Sequence, residues 1–410
     1  MNYRISAPEE ILEATVKLPQ SKSYLARKMI IDAIAGAEPC NPEQPCDDIK
    51  VLAAALACGK DEIDLHAGGT ALRLLTAYFA AIPGSEVVLD GNASLRRRPM
   101  GILVDALRQL GAEINYLGED GYAPLKISGK RLSGGSLAID PTVSSQFITA
   151  LMLIAPMLES ELCLRLEGEA VSMPYIKMTA EMMRRRGVSA DIDRYDINLA
   201  PGRYTVVDDR PVELDWTAAS YWYEIAAITA GWVTLPGLGA DDLQGDRCLC
   251  ALMPRLGVLS EFDGNLELSA TPDLWGRLEL DLSQNPDLTP AFAVTAAALA
   301  VPFRLSGLQN LRIKECDRLE ALRRELLKIG VVAEIEGADT LMWEGQRVPV
   351  MQLPEIDPCG DHRMAMAFAP LAAFAPGMII RDAEVVEKSY PDFWNQLREA
   401  GFTVEPVEEA

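Results

Sequence analysis

Metal-ligating side chains are scarce in this chain of 410 residues, which has only two histidines, His66 and His362. Its eight cysteines include no Cys-x-x-Cys, and the one tight pair, Cys248 and Cys250, has no histidine beside it. Such a set argues against a structural zinc site and against a disulfide framework, and predicts reduced thiols and no metal. The N-terminal MNYRISAPEE lacks the basic, apolar and small-residue succession of an export signal, so a cytoplasmic protein is expected. The uncharged stretch Met364–Ile380 is broken by Pro370 and Pro376 and is short for a membrane span; it predicts a buried helix. Positive charge is also in deficit. Lys and Arg number 38 against 60 Asp and Glu, a formal net charge of −22, which argues against nucleic acid or an anionic membrane as a partner. A small anionic substrate stays compatible, because a cleft can be locally positive in an acidic protein.

What is present is enough apolar material for large cores: hydrophobic residues make up 49% of the chain. At this length a single core is stretched, so two domains are expected. One phrase recurs along the chain, an amphipathic helix that stops at glycine and is followed by an alternating strand. It ends at Gly59, Gly111, Gly187, Gly257, Gly330 and Gly401, and the strands include AEINYL, VVAEIEG and FTVEPV. After a short first interval the glycines follow at nearly even spacings of roughly seventy residues, the mark of an internal repeat. Glycine past a helix end predicts a left-handed cap. The short first interval predicts a first unit that has lost a strand pair.

Six further helices interleave with these and are apolar on nearly every face: SYLARKMIIDAIAG, TALRLLTAYFAAIPG, SSQFITALMLIAP, AASYWYEIAAITAG, LTPAFAVTAAALAVP and DHRMAMAFAPLAAFAPG. Such helices belong in an interior. Ser23, Thr70, Ser144, Thr289 and Asp361 open five of them and are expected to cap them. Several helix N-termini gathered around one cleft would make an anion site.

The polar residues at these helix starts carry the chemistry. LPQSKSYLAR places Lys22 and Ser23 at a helix start with Arg27 one turn on, and GGTALR offers Gly68, Gly69, Thr70 and Arg73. SLRRRPM puts three arginines, Arg98 the last, before a proline, and VSSQF leads Ser144, Ser145 and Gln146 into an apolar helix. NLRIKECDR compresses Asn310, Arg312, Lys314, Glu315, Asp317 and Arg318 into one short segment. CGDHRMAM sets Asp361, His362 and Arg363 at the mouth of an interior helix, where an unpaired charge would be costly, and VEKSYP adds Lys388. Cations collected at the starts of several helices in an acidic chain suit polyanionic ligands.

These phrases, in this order from LPQSKS to EKSYPDF over nearly the whole chain, resemble the 5-enolpyruvylshikimate-3-phosphate synthase family of enolpyruvyl transferases. SSQF-TAL, K-E-x-D-R and DHRMAM are its most specific parts. The resemblance implies an α/β fold, a two-domain inside-out α/β barrel with three βαβαββ repeats per domain and the active site in the interdomain cleft. One domain is expected over 1–20 and 214–410, the other over 21–213. It implies transfer of the enolpyruvyl group of phosphoenolpyruvate to the 5-hydroxyl of shikimate 3-phosphate, releasing phosphate through a tetrahedral intermediate, with no cofactor and with inhibition by glyphosate; a monomer is expected.

Carried over position by position, the resemblance assigns shikimate 3-phosphate to Lys22, Ser23, Arg27, Ser144, Ser145, Gln146, Ser172, Tyr175, Asp287, Asn310 and Lys314. It assigns phosphoenolpyruvate to Lys22, Gly69, Thr70, Arg98, Gln146, Arg318, Arg363 and Lys388. Asp287 and Glu315 match the carboxylates of proton transfer, with Lys22 as a further candidate. Three features depart from the pattern: Ala67 stands where asparagine is common, Trp216 where a small residue is usual, and the first repeat is short. The rival readings are a related transferase acting on UDP-N-acetylglucosamine and a binding-only descendant. The first carries a loop cysteine that residues 85–100 here lack. Retention of Asp287, Glu315 and the clamp cations speaks against the second.

Overall fold

Five four-stranded sheets, all wound in the same order, account for most of the chain in the computed structural model, which describes residues 1–38, 40–58, 61–205, 208 and 210–407. In each, a first strand pairs in parallel with a second across an apolar helix. A further helix then leads into an antiparallel hairpin whose last strand docks on the second. One copy runs Leu278–Asp281, helix Thr289–Ala298, Phe303–Ser306, helix Arg318–Lys328, Glu334–Glu336 and Thr340–Trp343. This is the βαβαββ unit, and the protein has a two-domain α/β fold.

The remaining copies show how the sequence repeat is spent. The last sheet is closed by the N-terminus: Asn2–Ser6 lies antiparallel between Met378–Ile380 and Thr403–Val407. The first repeat is reduced further than a lost strand pair. Between residues 22 and 61 the described residues hold the helices Lys22–Ala35 and Asp47–Ala57 and no strand. Gly59 lies outside the described residues.

Gly111, Gly187, Gly330 and Gly401 follow helix ends with φ between 81° and 98°, as a left-handed cap requires. Gly257 does something else. It sits in the strand Leu256–Asp263 where the register shifts, and a Cβ there would meet the Thr271 carbonyl at 2.6 Å. The preceding helix, Leu249–Leu252, is a single turn, so this glycine makes a bulge rather than a cap.

The chain divides into two compact units, Met1–Ser21 with Glu213–Ala410, and Lys22–Val212. At the junction of the first, Ser21 N donates to Glu213 O at 2.8 Å and Asp215 N to Pro19 O at 2.9 Å. Its core is built on three of the apolar helices. In Trp216–Thr229 the side chains of Trp216, Trp222 and Tyr223 are fully buried, each large burial contributing roughly 1.5–3 kcal/mol. Trp222 Nε1 donates to Tyr390 Oη at 3.1 Å, which anchors the turn carrying Lys388. Trp216 also donates from Nε1 to Asp242 at 2.7 Å, so the large residue at this position is accommodated with its polar atom satisfied.

Candidate active site

Four cations and three carboxylates interlock in the unit that holds residues 213–410. Each side chain comes from the start of a helix or turn. Asp287 lies in the 3-10 turn Pro286–Leu288 and Lys314 caps the turn Gln309–Ile313. Glu315 follows it, and Arg318 opens a helix capped by Asp317. Asp361 caps the helix His362–Phe368 by accepting from Arg363 N at 2.9 Å, and all seven residues of that helix are buried.

Arg318 is the hub. Its guanidinium has no solvent exposure and donates to Asp361 at 2.8 Å, Asp287 at 3.0 Å and Glu315 at 3.2 Å. Arg363 Nη2 reaches the other Asp287 oxygen at 3.0 Å, and Lys314 Nζ is 3.3 Å from the first. Lys388 Nζ lies 3.0 Å from Glu315 Oε1. Burial would raise the Asp287 pKa, but Arg363, Lys314 and Arg318 outweigh it and hold the carboxyl well below its ordinary range. Burial pushes Lys314 down despite Asp287. For Arg318 and Arg363 the surrounding carboxylates overcome burial and keep both groups charged. The result is an ionised carboxylate able to accept a proton, beside immobile cations able to hold phosphate or carboxylate. Asn310 is buried nearby in the chain, and its Oδ1 has no partner among the described residues.

The unit of residues 22–212 gathers a second set, organised by the helices Lys22–Ala35, Gly69–Ala81, Ser145–Ile154 and Met173–Arg185. Arg27 is buried and donates to Thr179 Oγ1 at 2.8 Å, to Ser23 O at 2.8 Å and to Thr149 Oγ1 at 3.2 Å, with the Tyr175 ring 5.9 Å away. Burial lowers its pKa to about 10. Gln146 is held at both ends: it donates to Thr70 Oγ1 at 3.1 Å and accepts from Arg73 at 2.7 Å. Lys22 Nζ is 3.0 Å from Asp48 Oδ2. Ser145 is buried, and Ser172 stands in the left-handed region at φ 56°, a costly conformation for serine of the kind found at binding sites. A Cβ on Gly69 would lie 2.2 Å from Arg98 Nη1, so the glycine gives the buried arginine its place.

Of the five expected caps, Ser144 and Asp361 accept a helix amide. Thr70 falls inside the first turn because Gly68 and Gly69 start the helix, and its hydroxyl serves Gln146 instead. Thr289 donates to Pro286 O, and Ser23 lies inside a helix that begins at Lys22. The helix Trp216–Thr229 has a cap the sequence reading did not assign, Asp215, which accepts from Ala218 N at 2.9 Å. Asp48, Thr149, Thr179 and Asp246 also went unassigned. Asp246 is buried behind Asp287, bonded by Thr217 at 2.5 Å and Asn285 at 2.9 Å, and burial raises its pKa.

Residues 48–397 match the sequence profile of EPSP synthase (3-phosphoshikimate 1-carboxyvinyltransferase). The chain belongs to the EPSP synthase family. A curated 3-phosphoshikimate 1-carboxyvinyltransferase of Bacteroides fragilis (strain YCH46) is 42% identical, with all of both chains covered. That of Photorhabdus laumondii is 34% identical over 95% of this chain and 96% of its own. An EPSP synthase structure from Acinetobacter baumannii covers 99% of this chain and 100% of its own, with a TM-score of 0.76 at 22% identity. The enolpyruvyl transferase NikO of Streptomyces tendae gives 0.73 at 16% over 98% of each chain. The two structural likenesses bear on the fold alone. Membership of the EPSP synthase family gives the interlocked charges above a reaction class, enolpyruvyl transfer.

Proposed function

We propose that the chain transfers the enolpyruvyl group of phosphoenolpyruvate to the 5-hydroxyl of shikimate 3-phosphate and releases phosphate. The observation that carries this reading is the grip of Arg318, Arg363 and Lys314 on Asp287, which keeps a base ionised among fixed cations. The substrate hydroxyl loses its proton to Asp287 as its oxygen bonds to C2 of phosphoenolpyruvate. The methylene at C3 gains a proton from Glu315 or Lys22, giving the tetrahedral intermediate. Loss of a proton from the new methyl group then expels phosphate and restores the double bond in the product. Arg98, Arg318, Arg363 and Lys388, with Gly69, Thr70 and Gln146, hold phosphoenolpyruvate. Lys22, Ser23, Arg27, Ser144, Ser145, Gln146, Ser172, Tyr175, Asn310 and Lys314 hold shikimate 3-phosphate. Fixed donors and cations of this kind need little reorganisation as charge develops.

The residues come from both compact units, so shikimate 3-phosphate should draw them together by differential binding and reduce the radius of gyration in small-angle scattering. Glyphosate, an anion, should compete with phosphoenolpyruvate and bind mainly once shikimate 3-phosphate is present. The protein works as a monomer in the cytoplasm; no helix among the described residues is long and apolar enough to cross a membrane. The decisive experiment is a coupled assay for phosphate release. Release should require both substrates and continue at full rate in chelator. Release without shikimate 3-phosphate, or strict need for a divalent ion, would overturn the proposal.

A further inference from the structure

Two free cysteines flank the charge network from opposite sides. Cys316 sits between Glu315 and Arg318, and its thiol approaches Asp361 Oδ2 at 3.9 Å. Cys359 precedes Asp361 in a turn where it and Gly360 both have positive φ, 56° and 71°. The two side chains are within hydrogen-bond reach of each other. Arg324 Nη2 lies 2.6 Å from Cys359 Sγ. Both thiols are partly exposed, so a small oxidant can reach them. The Cys316 thiol and Arg324 together hold Cys359 below the ordinary thiol range, against burial, which favours the reactive thiolate.

We propose that Cys316 and Cys359 form a reversible disulfide under peroxide, and that this bond throttles the enzyme by displacing Glu315, Arg318 and Asp361. The Cys359 thiolate attacks a peroxide oxygen, giving a sulfenic acid and, after protonation, water. Cys316 then attacks the sulfenic sulfur, loses its proton and expels a second water. Two thiols and one hydrogen peroxide thus become one disulfide and two waters; a dithiol reductant reverses the change. Drawing sulfurs from hydrogen-bond separation to a bond of about 2.05 Å moves the segments at both ends of the Arg318–Asp361 pair. Displacement on the order of 1 Å costs about a hundredfold in rate, so a loss of at least about tenfold is expected.

The test is a hydrogen peroxide titration of the purified full chain, read by peptide mass mapping of the disulfide and by turnover. A Cys316–Cys359 crosslink, a turnover loss reversed by dithiothreitol, and resistance of Cys316→Ser and Cys359→Ser to the same peroxide would support the switch. Mapping that finds both thiols unlinked in the folded oxidised protein would overturn it, as would a crosslink without loss of turnover or an equal loss in both serine variants. The turnover arm rests on the activity proposed above, whereas the crosslink does not, so the two ideas can fail separately.

Discussion

Arg318 Nε donates to Asp361 Oδ2 at 2.8 Å, and neither side chain has any exposure to solvent. One residue opens a helix and the other caps a second, so this ion pair ties together two helix starts that are far apart in the chain. Asp361→Ala leaves Arg318 short of one buried acceptor and the helix without its cap. Removing one partner of a buried pair typically costs about 3–5 kcal/mol. Urea unfolding of this variant should show a loss of that order, with Asp361→Asn less affected because it can still cap. A loss below about 1 kcal/mol would mean that Asp287 and Glu315 alone satisfy Arg318.

Asp287→Ala should lower turnover by about 10²–10⁴-fold, the range of a general acid–base group, with the fold kept. The pH dependence has a definite sign. Because the folded pKa of Asp287 is depressed, its stabilising pairing is fully present above the ordinary carboxylate pKa of about 4 and is lost as pH falls through the lower folded value. Wild-type kcat/KM should therefore show no loss assignable to this base as pH drops toward 4. An acid limb near 6 that vanishes in Asp287→Asn would contradict the assignment.

Lys388 touches the network through Glu315, 3.0 Å away, on a turn held by Tyr390. Lys388→Ala should chiefly raise the KM for phosphoenolpyruvate, with a smaller change in kcat. The reverse pattern in steady-state kinetics would move Lys388 from binding to proton transfer.

Much of this was readable before the structure because it is local. Glycines 111, 187, 330 and 401 had to be left-handed, and the apolar helices had to be buried. The failures have physical causes. Gly257 looked like a cap because the short turn before it mimics a helix, and only cross-strand pairing with Leu274 and Ala270 reveals the bulge. The pairing of Asn2–Ser6 with Thr403–Val407 spans almost the full chain, beyond any local pattern. At the site, residue types were legible but partners were not. Asp48 reads as part of an acidic helix start, and only folding brings it to Lys22. Cys316 and Cys359 likewise show no spacing that marks them as a pair.

Gly69 offers the sharpest separation of stability from binding. A methyl group there would meet Arg98 Nη1 at 2.2 Å, Cζ at 3.1 Å and Cδ at 3.2 Å. The clash is with the far end of a flexible side chain, not with backbone, so Gly69→Ala should fold, and alanine in a helical first turn carries no propensity penalty. What must move is the guanidinium of Arg98, one of the proposed phosphoenolpyruvate cations. The variant should keep a melting temperature near wild type, raise the KM for phosphoenolpyruvate about tenfold or more, and lose glyphosate inhibition. Arg98→Lys in the same background supplies the control: its shorter, narrower ammonium avoids the methyl, so part of the lost phosphoenolpyruvate affinity should return. An unchanged KM and unchanged glyphosate inhibition in Gly69→Ala would show that Arg98 does not serve that ligand.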